Sequence, residues 1–328
     1  MTSYLARRLL QAIPTLLGIT VISFILMQAA PGDPIQLLTF NPDMTEASRA
    51  KLRQQLCLDR PLPEQYFIWV FGDLRGECAM RGLVRGDFGT SFYDKRPVLE
   101  MIMERIPATL ELSAVALAFG LLVGLPVGAY AAVRQSSWFD NVSRFWAVVF
   151  DAIPSFWFGL ILILIFSTNL GWLPVGGRVP LHVANPSLVD RLRHLAMPAF
   201  VLGVGWVAVF SRFMRAETLE VIRQDYVRTA LAKGLRARRV YFWHAARNAL
   251  IPIATLLGPA IAGLLSGAVV IERIFSWPGL GRLTFDAVVQ RDYPIVMAGV
   301  IVGSILVIVG NLLSDVLYVI IDPRIRLE

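Results

Sequence analysis

Charge is scarce in this chain. Only 17% of its 328 residues are Asp, Glu, Lys or Arg, 56% are hydrophobic, and the mean hydropathy is +0.60. That balance excludes an ordinary soluble domain. Histidine is scarcer still: His182, His194 and His244 stand far apart, with neither metal-ligand spacing nor a position beside an obvious nucleophile. No metal and no catalytic residue is therefore expected. The phosphate loop G-x-x-x-x-G-K-[ST] is absent, so the chain does not hydrolyse ATP by that route. An enzyme, an intramembrane protease included, is a poor reading. Cysteine occurs twice, at Cys57 and Cys78.

What is present instead is apolar sequence long enough to cross a bilayer, which takes about 20 residues. Six spans are predicted: Leu9 to Ala30, Leu110 to Val133, Trp146 to Thr168, Pro198 to Met214, Ala249 to Ile271 and Ile295 to Ile320. The first follows Arg7 and Arg8 as a signal peptide would. Its apolar run is too long, however, and "MQAAPGD" lacks an A-x-A cleavage site, so it is expected to stay as an uncleaved anchor.

Basic residues orient the spans. With the N-terminus inside, the inner segments carry fifteen Lys/Arg: Arg7, Arg8, Arg134, Arg144, nine from Arg212 to Arg247, Arg324 and Arg326. The two short outer loops carry six, and the remaining ten lie in a segment too long to count in the positive-inside rule. Both termini are expected in the cytoplasm. The net charge of +7 fits topology signalling and anionic lipid headgroups, with no nucleic-acid partner.

Residues 31–107 differ in composition, with ten basic and eleven acidic side chains, and read as a small extracytoplasmic domain. It is placed between an N-terminal helix over residues 1–30 and a transmembrane domain over 108–328. Within it "TEASRAKLRQQL" predicts a helix capped by Thr45. "YFIWVFGDL" is too short to span and is expected to cover the outer face of the bundle. Cys57 and Cys78 both fall here, which fits an oxidising compartment; a disulfide and two independent buried thiols both stay open. Pro14, Pro126, Pro154, Pro252 and Pro259 interrupt spans, where neighbouring helices resatisfy the freed backbone groups. Gly120, Gly124 and Gly128 share one helix face, as do Gly299 and Gly303, spacing that permits close helix packing.

Acids within the spans raise a separate possibility. Asp151, Glu111 and Asp315 are the side chains an ion-coupled secondary carrier would use, since intramembrane ionisable groups are costly. The plainer reading of Glu111 and Asp315 is a hydrogen bond to a neighbouring helix. For Asp151, one turn before Pro154, it is capping of the backbone groups that the proline frees.

The segment "DYVRTALAKGLRARRVYFWHAARNALIP", Asp225 to Pro252, is more elaborate than a connecting loop requires. Asp225 is expected to cap a short helix and Gly234 to end it in a left-handed turn, before a second helix leads into the fifth span. Tyr226, Val227, Ala230 and Leu231 share a face, which wants either a partner groove or the lipid interface.

This helix, glycine, helix arrangement resembles the "EAA" loop of bacterial ABC importer permeases, the surface that docks into a cleft of the ATPase subunit. The general pattern puts Glu-Ala-Ala four to six residues before the glycine. Arg228, Thr229 and Ala230 stand there, so the acid is missing. "DYVRTALAKG" is similar to the version in the dipeptide/oligopeptide/nickel permeases, in which Asp225 is placed to offer a carboxylate. The same subgroup is resembled by "YLARRLLQAIPTLLG", "APGDP", "GDFGTSF", "RIPATLEL", "IPSFWFG", "LGWLPVGG", "FSWPGLGRL" and "DPRIR", in this order along nearly the whole chain. Cys57 departs from the family, which commonly has glycine before "LDRPL", and an apparent insertion around "GECAMRG" supplies Cys78. Both cysteines lying in departures favours their pairing.

The resemblance implies an all-α membrane protein with the type I ABC importer fold, a core of five helices wrapped by the first. It implies a second homologous permease subunit, two ATPase subunits and an extracytoplasmic substrate-binding protein as partners. ATP and Mg2+ would bind to the partners and no cofactor to this chain. Di- or oligopeptides are the expected substrate, with nickel chelates, glutathione or oligosaccharides as alternatives. Expected coupling residues are Asp225, Tyr226, Arg228, Thr229, Ala230 and Gly234. In the outer loop from Glu272 to Pro294, Trp277, Pro278 and Gly279 form a compact turn read either as a gate or as a packed lid.

Overall fold

The computed structural model describes residues 2–29, 45–55, 57–73, 76, 78, 81–180, 183, 185–265 and 268–321. His182, "APGDP" and "DPRIR" lie outside them. By contact the chain divides into two compact units, one of Met1–Leu5, Ala108–Pro278 and Leu306–Glu328, the other of Ala6–Pro107 and Gly279–Ile305.

Most of helix α1, Thr2–Ala29, belongs to the second unit, and the helix continues through Pro14. Helix α2, Glu46–Gln55, starts where its cap predicts: the amide of Ser48 donates to Thr45 Oγ1 at 3.3 Å. Helix α3, Leu62–Phe71, contains the "YFIWVF" stretch. It packs along α1: the Tyr66 ring meets Phe24 at 5.4 Å and its hydroxyl bonds Thr20 Oγ1 at 2.8 Å. Gln28 Nε2 donates to Gln65 Oε1 at 2.9 Å. These polar links hold the two helices in one register. Farther on, Asp292 accepts from the Ser91 hydroxyl and from the amides of Phe92 and Tyr93, both within 3.2 Å. That carboxylate fixes the "GDFGTSF" turn to the loop between α12, Leu280–Gln290, and α13, Tyr293–Ile321. Gly299 is packed against Thr284, whereas Gly303 faces open space and makes no close approach.

Helix α4, Val98–Val133, runs 36 residues and passes through both units. It starts twelve residues before the predicted span, so the expected boundary at residue 107 falls inside a helix. The reason is an apolar stripe: Val98, Met101, Ile102, Ala108, Thr109, Leu112 and Ala116 are buried at helical spacing.

In the first unit, α5, Trp138–Ala152, and α6, Ser155–Leu162, meet at a 100° bend and α6 continues through a π turn, Ile163–Asn169. The predicted third span is therefore not one straight helix. Proline disfavours a helical residue before it, and Ile153 is extended, with φ −73° and ψ 124°. Helix α7, Leu188–Ile222, exceeds the predicted fourth span at both ends. Its start is set by a capping box, in which Ser187 Oγ accepts from the Asp190 amide and Asp190 accepts from the Ser187 amide. Then follow α8, Asp225–Ala232, the short α9, Ala237–Arg239, a π turn, Val240–Ala245, α10, Ala246–Leu265, and α11, Val269–Ile274.

Among the described residues four helices are long and apolar enough to cross a membrane: Leu10–Ala29, Val98–Val133, Leu188–Ile222 and Tyr293–Val316. The bent pair makes a fifth if it counts as one span. The expected fifth span falls on α10 and α11. Close packing of α4 on α7 follows from the glycine stripe: a Cβ on Gly124 would lie 3.0 Å from the Cβ of Phe210, and one on Gly128 2.8 Å from that of Met214.

Cys57 and Cys78 are joined as a disulfide, with Cα atoms 6.0 Å apart. The Cys78 amide also donates to Asp73 Oδ2 at 2.6 Å. In the chain-entropy account a loop of this length stabilises by about 3 kcal/mol. Mass mapping of protein handled without reductant is expected to recover one cross-linked peptide pair containing both cysteines. Recovery of both as free thiols would refute the bond.

Candidate functional site

Helix α8 is held in the first unit by its apolar face. Val227 is fully buried, and Ala230 and Leu231 pack beside it in a cluster with Val221 of α7, Val240 and Ala245 of the π turn, and Ala246 and Ala249 of α10. Full burial of one valine stabilises by about 2 kcal/mol. The Tyr226 hydroxyl accepts from Asn248 Nδ2 of α10 at 2.7 Å. The groove that this apolar face calls for is thus supplied by the chain itself.

What faces outward is polar. The Asp225 carboxylate is 96% exposed and lies 3.7 Å from the Arg228 guanidinium. Thr229 is exposed too, its hydroxyl donating to the Asp225 carbonyl at 2.9 Å. Asp225 does not cap the helix: the cap position is Gln224, with no side-chain hydrogen bond, and Asp225 is the first helical residue. Its charge acts on the helix dipole instead, worth about 0.3–1 kcal/mol.

The end of α8 agrees with the sequence. Gly234 has φ +79°. Its amide donates to the Leu231 carbonyl at 2.9 Å and the Leu235 amide to the Ala230 carbonyl at 3.3 Å, the two bonds of a Schellman motif. A Cβ at Gly234 would meet nothing within 4 Å, so the demand for glycine is conformational and not steric crowding.

The segment from Glu272 to Pro294 is built differently from the expectation of a loop, because α11 and α12 occupy much of it. Trp277 is fully buried among Ala108, Leu112, Leu195 and Ala199, and its indole N–H donates to the Ala108 carbonyl at 2.8 Å. Glu272, also buried, accepts from Thr109 Oγ1 at 3.0 Å. In this structure Trp277 is packed on α4. Pro278 and Gly279 are half-buried and buried.

Arginines answer two of the three spanning acids. Glu111 accepts from Arg178 at 2.6 Å, and Asp151 from Arg212 at 3.0 Å, so Asp151 has an ionic partner in place of the expected capping role. Asp315 is half-buried on α13. A pair the sequence reading missed is stronger: Asp140 of α5 is wholly buried and takes both Nε and NH2 of Arg215, at 2.5 and 2.8 Å. The signal was Arg212 and Arg215 at i, i+3 on one helix facing two acids on another.

Comparison with known proteins adds the relationship. Residues 124–327 match the family model described as binding-protein-dependent transport system inner membrane component, and residues 1–113 match the N-terminal membrane component model of the same systems. The chain is 45% identical over 327 residues to the oligopeptide transport system permease protein AppB of Bacillus subtilis (strain 168), covering 99% of this chain and 100% of that one. It is 38% identical to the dipeptide transport system permease protein DppB of Escherichia coli (strain K12), with 99% of both chains covered. It is 39% identical to the glutathione transport system permease protein GsiC of Salmonella choleraesuis (strain SC-B67), again with 99% of both covered. Among solved structures, an inward-facing MetNI methionine ABC transporter matches with TM-score 0.52 at 17% identity, covering 68% of this chain and 96% of that one. That likeness supports the fold alone.

Two mutational outcomes follow from the geometry. Asp140→Ala strands the Arg215 guanidinium and is expected to cost about 3 kcal/mol, whereas Asp151→Ala removes a half-exposed pair worth under about 1 kcal/mol. Thermal unfolding of the purified chain in one detergent checks the order, and equal losses would contradict it. Gly234→Val forces a Cβ into the left-handed region at about 1–2 kcal/mol. It is expected to disrupt the end of α8 while membrane insertion continues, measured as loss of transport at unchanged membrane abundance.

Proposed function

The chain belongs to the binding-protein-dependent transport system inner membrane component family, and from that membership we propose that it is the permease subunit of an ATP-driven importer of di- and oligopeptides. It is a multi-pass inner-membrane transport subunit and not an enzyme. ATP and Mg2+ bind to two partner ATPase subunits, a second, similar permease completes the pathway, and an extracytoplasmic substrate-binding protein delivers the peptide. Both termini lie in the cytoplasm, in keeping with the bias of basic residues toward the inner segments.

The observation that carries the coupling role is the two-faced character of α8. Its apolar side is buried in the cluster that includes the base of α10, while Asp225 and Arg228 stand open on the other side. Force on the exposed face therefore reaches α10 and the inner end of α7 through close-packed side chains, which shift between discrete arrangements rather than deform smoothly. Closure of the ATPase subunits moves α8, and α10 follows. Peptide as substrate rests on full-length similarity to relatives named for oligopeptides and dipeptides. A relative named for glutathione, itself a small peptide, makes that compound the second substrate to try.

Reconstitution of the complete complex in proteoliposomes, with its ATPases and its receptor, is the test. ATP-dependent uptake of labelled dipeptides or oligopeptides is expected; uptake driven by a proton gradient without ATP would overturn the reading. Because Asp225 is not a cap, Asp225→Asn and Asp225→Ala are expected to weaken ATPase co-purification alike, by several-fold. Wild-type behaviour of Asp225→Asn would remove the charge from the coupling role.

A further inference from the structure

Asp151 of α5 and Arg212 of α7 both fall within predicted spans, and both belong to the first unit. They are joined by a single bond of 3.0 Å between side chains that are 52% and 41% exposed. So open a pair adds little to stability, and lipid is a costly neighbour for either charge. We propose that the pair lines the translocation path and binds the charged termini of the passing peptide, an inference that rests on the importer reading given above.

Two further observations favour water over lipid at this place. The 100° bend between α5 and α6 follows Asp151 directly, and Ala152, Pro154 and Ser155 around it are exposed. Backbone that leaves the helix at membrane depth is tolerated only where protein covers it or a water-filled cavity lies beside it. The described residues of this chain do not cover it. Gly205 lies on the face of α7 that carries Arg212, two turns away, and a Cβ there would meet nothing within 4 Å. That face joins a glycine to an arginine, where lipid would favour large apolar side chains.

The chemistry of the pair matches what all peptides share. Whatever its sequence, a peptide carries an α-ammonium and an α-carboxylate at neutral pH. A carboxylate accepts from the first, and a guanidinium donates two parallel bonds to the second. The bond to Asp151 uses one nitrogen of Arg212, which leaves donors for a substrate carboxylate. With the path empty the two charges offset each other, and with peptide present each takes a terminus. One pair thereby serves many sequences, because no side chain is read. The Asp140–Arg215 pair cannot act this way, since its carboxylate is wholly buried and already holds two bonds.

Photolabelling of the complex of both permeases and both ATPase subunits, without the receptor, tests the contact free of the receptor's own choice of peptide. The probe is an alanyl dipeptide with free termini and a diazirine side chain. Labelling is expected around Asp151 and Arg212, competed by dialanine and not by its N-acetylated, C-amidated form. D151N and R212Q are each expected to lower it on the order of 10-fold, as loss of a charged hydrogen bond would, while the second permease and the ATPase subunits co-purify as before. In proteoliposomes with the receptor, D151N/R212Q is expected to lose ATP-dependent dipeptide uptake to at least the same degree. Labelling confined to other segments, equal competition by the blocked dipeptide, or undiminished labelling of both variants would overturn the proposal. Loss of the second permease from either variant would make the pair a subunit contact and overturn it equally. Uptake by the double variant equal to that of the wild type would sink this inference alone. A wild-type complex that takes up no dipeptide with ATP would sink the importer reading and this inference with it.

Discussion

The burial of Val227 against Val240 and Ala245 is the contact on which the region around α8 depends. An eight-residue helix does not persist in water, because nucleation costs more than so few backbone bonds return. Helix α8 exists because its apolar face has somewhere to go. The same cluster contains Val221 at the end of α7 and Ala249 and Ile253 in α10. A small helix is thereby made one mechanical body with two long ones, and its polar side is left free for a partner.

A second constraint operates on α4, α5 and α7. The glycines of α4 allow α7 to approach until backbone and side chain touch, and Phe210 is fully buried as a result. Asp140 and Arg215 then fix α5 to α7 with two parallel hydrogen bonds at a site where the carboxylate sees no water. Packing sets the distance between α4 and α7, and the ion pair sets the register of α5 on α7. The half-exposed Asp151–Arg212 pair repeats the linkage with a single bond and far less desolvation. The acids that invited a secondary-carrier reading are, in two of three cases, fastened to arginines.

Most of the framework was legible because membrane helices announce themselves by length and hydropathy. The Schellman turn at Gly234 was legible too, since only glycine adopts that conformation freely. The capping role given to Asp225 was misassigned by one position: Gln224 carries the extended backbone, although aspartate is by type the better capping residue. The start of α4 at Val98 leaves only the helical spacing of Val98, Met101 and Ile102 as a trace in the sequence, and Pro107 and the nearby charges masked it. Trp277 showed the limit most plainly. Glycines and a proline around an indole predict a turn, yet whether the ring faces a path or a core depends on α4 and α7 offering Ala108 and Ala199.

By itself, then, the sequence determined that this is a helical membrane protein of a particular transport family. Those properties are set by local composition and by motifs whose residues are close in the chain. Tertiary structure alone decided which acids meet which arginines, that the third apolar run bends by 100°, and which face of α8 turns inward. Each of those outcomes depends on side chains tens of residues apart arriving at one place. The energy of such meetings lies in desolvation and close packing, which belong to the pair and not to either residue.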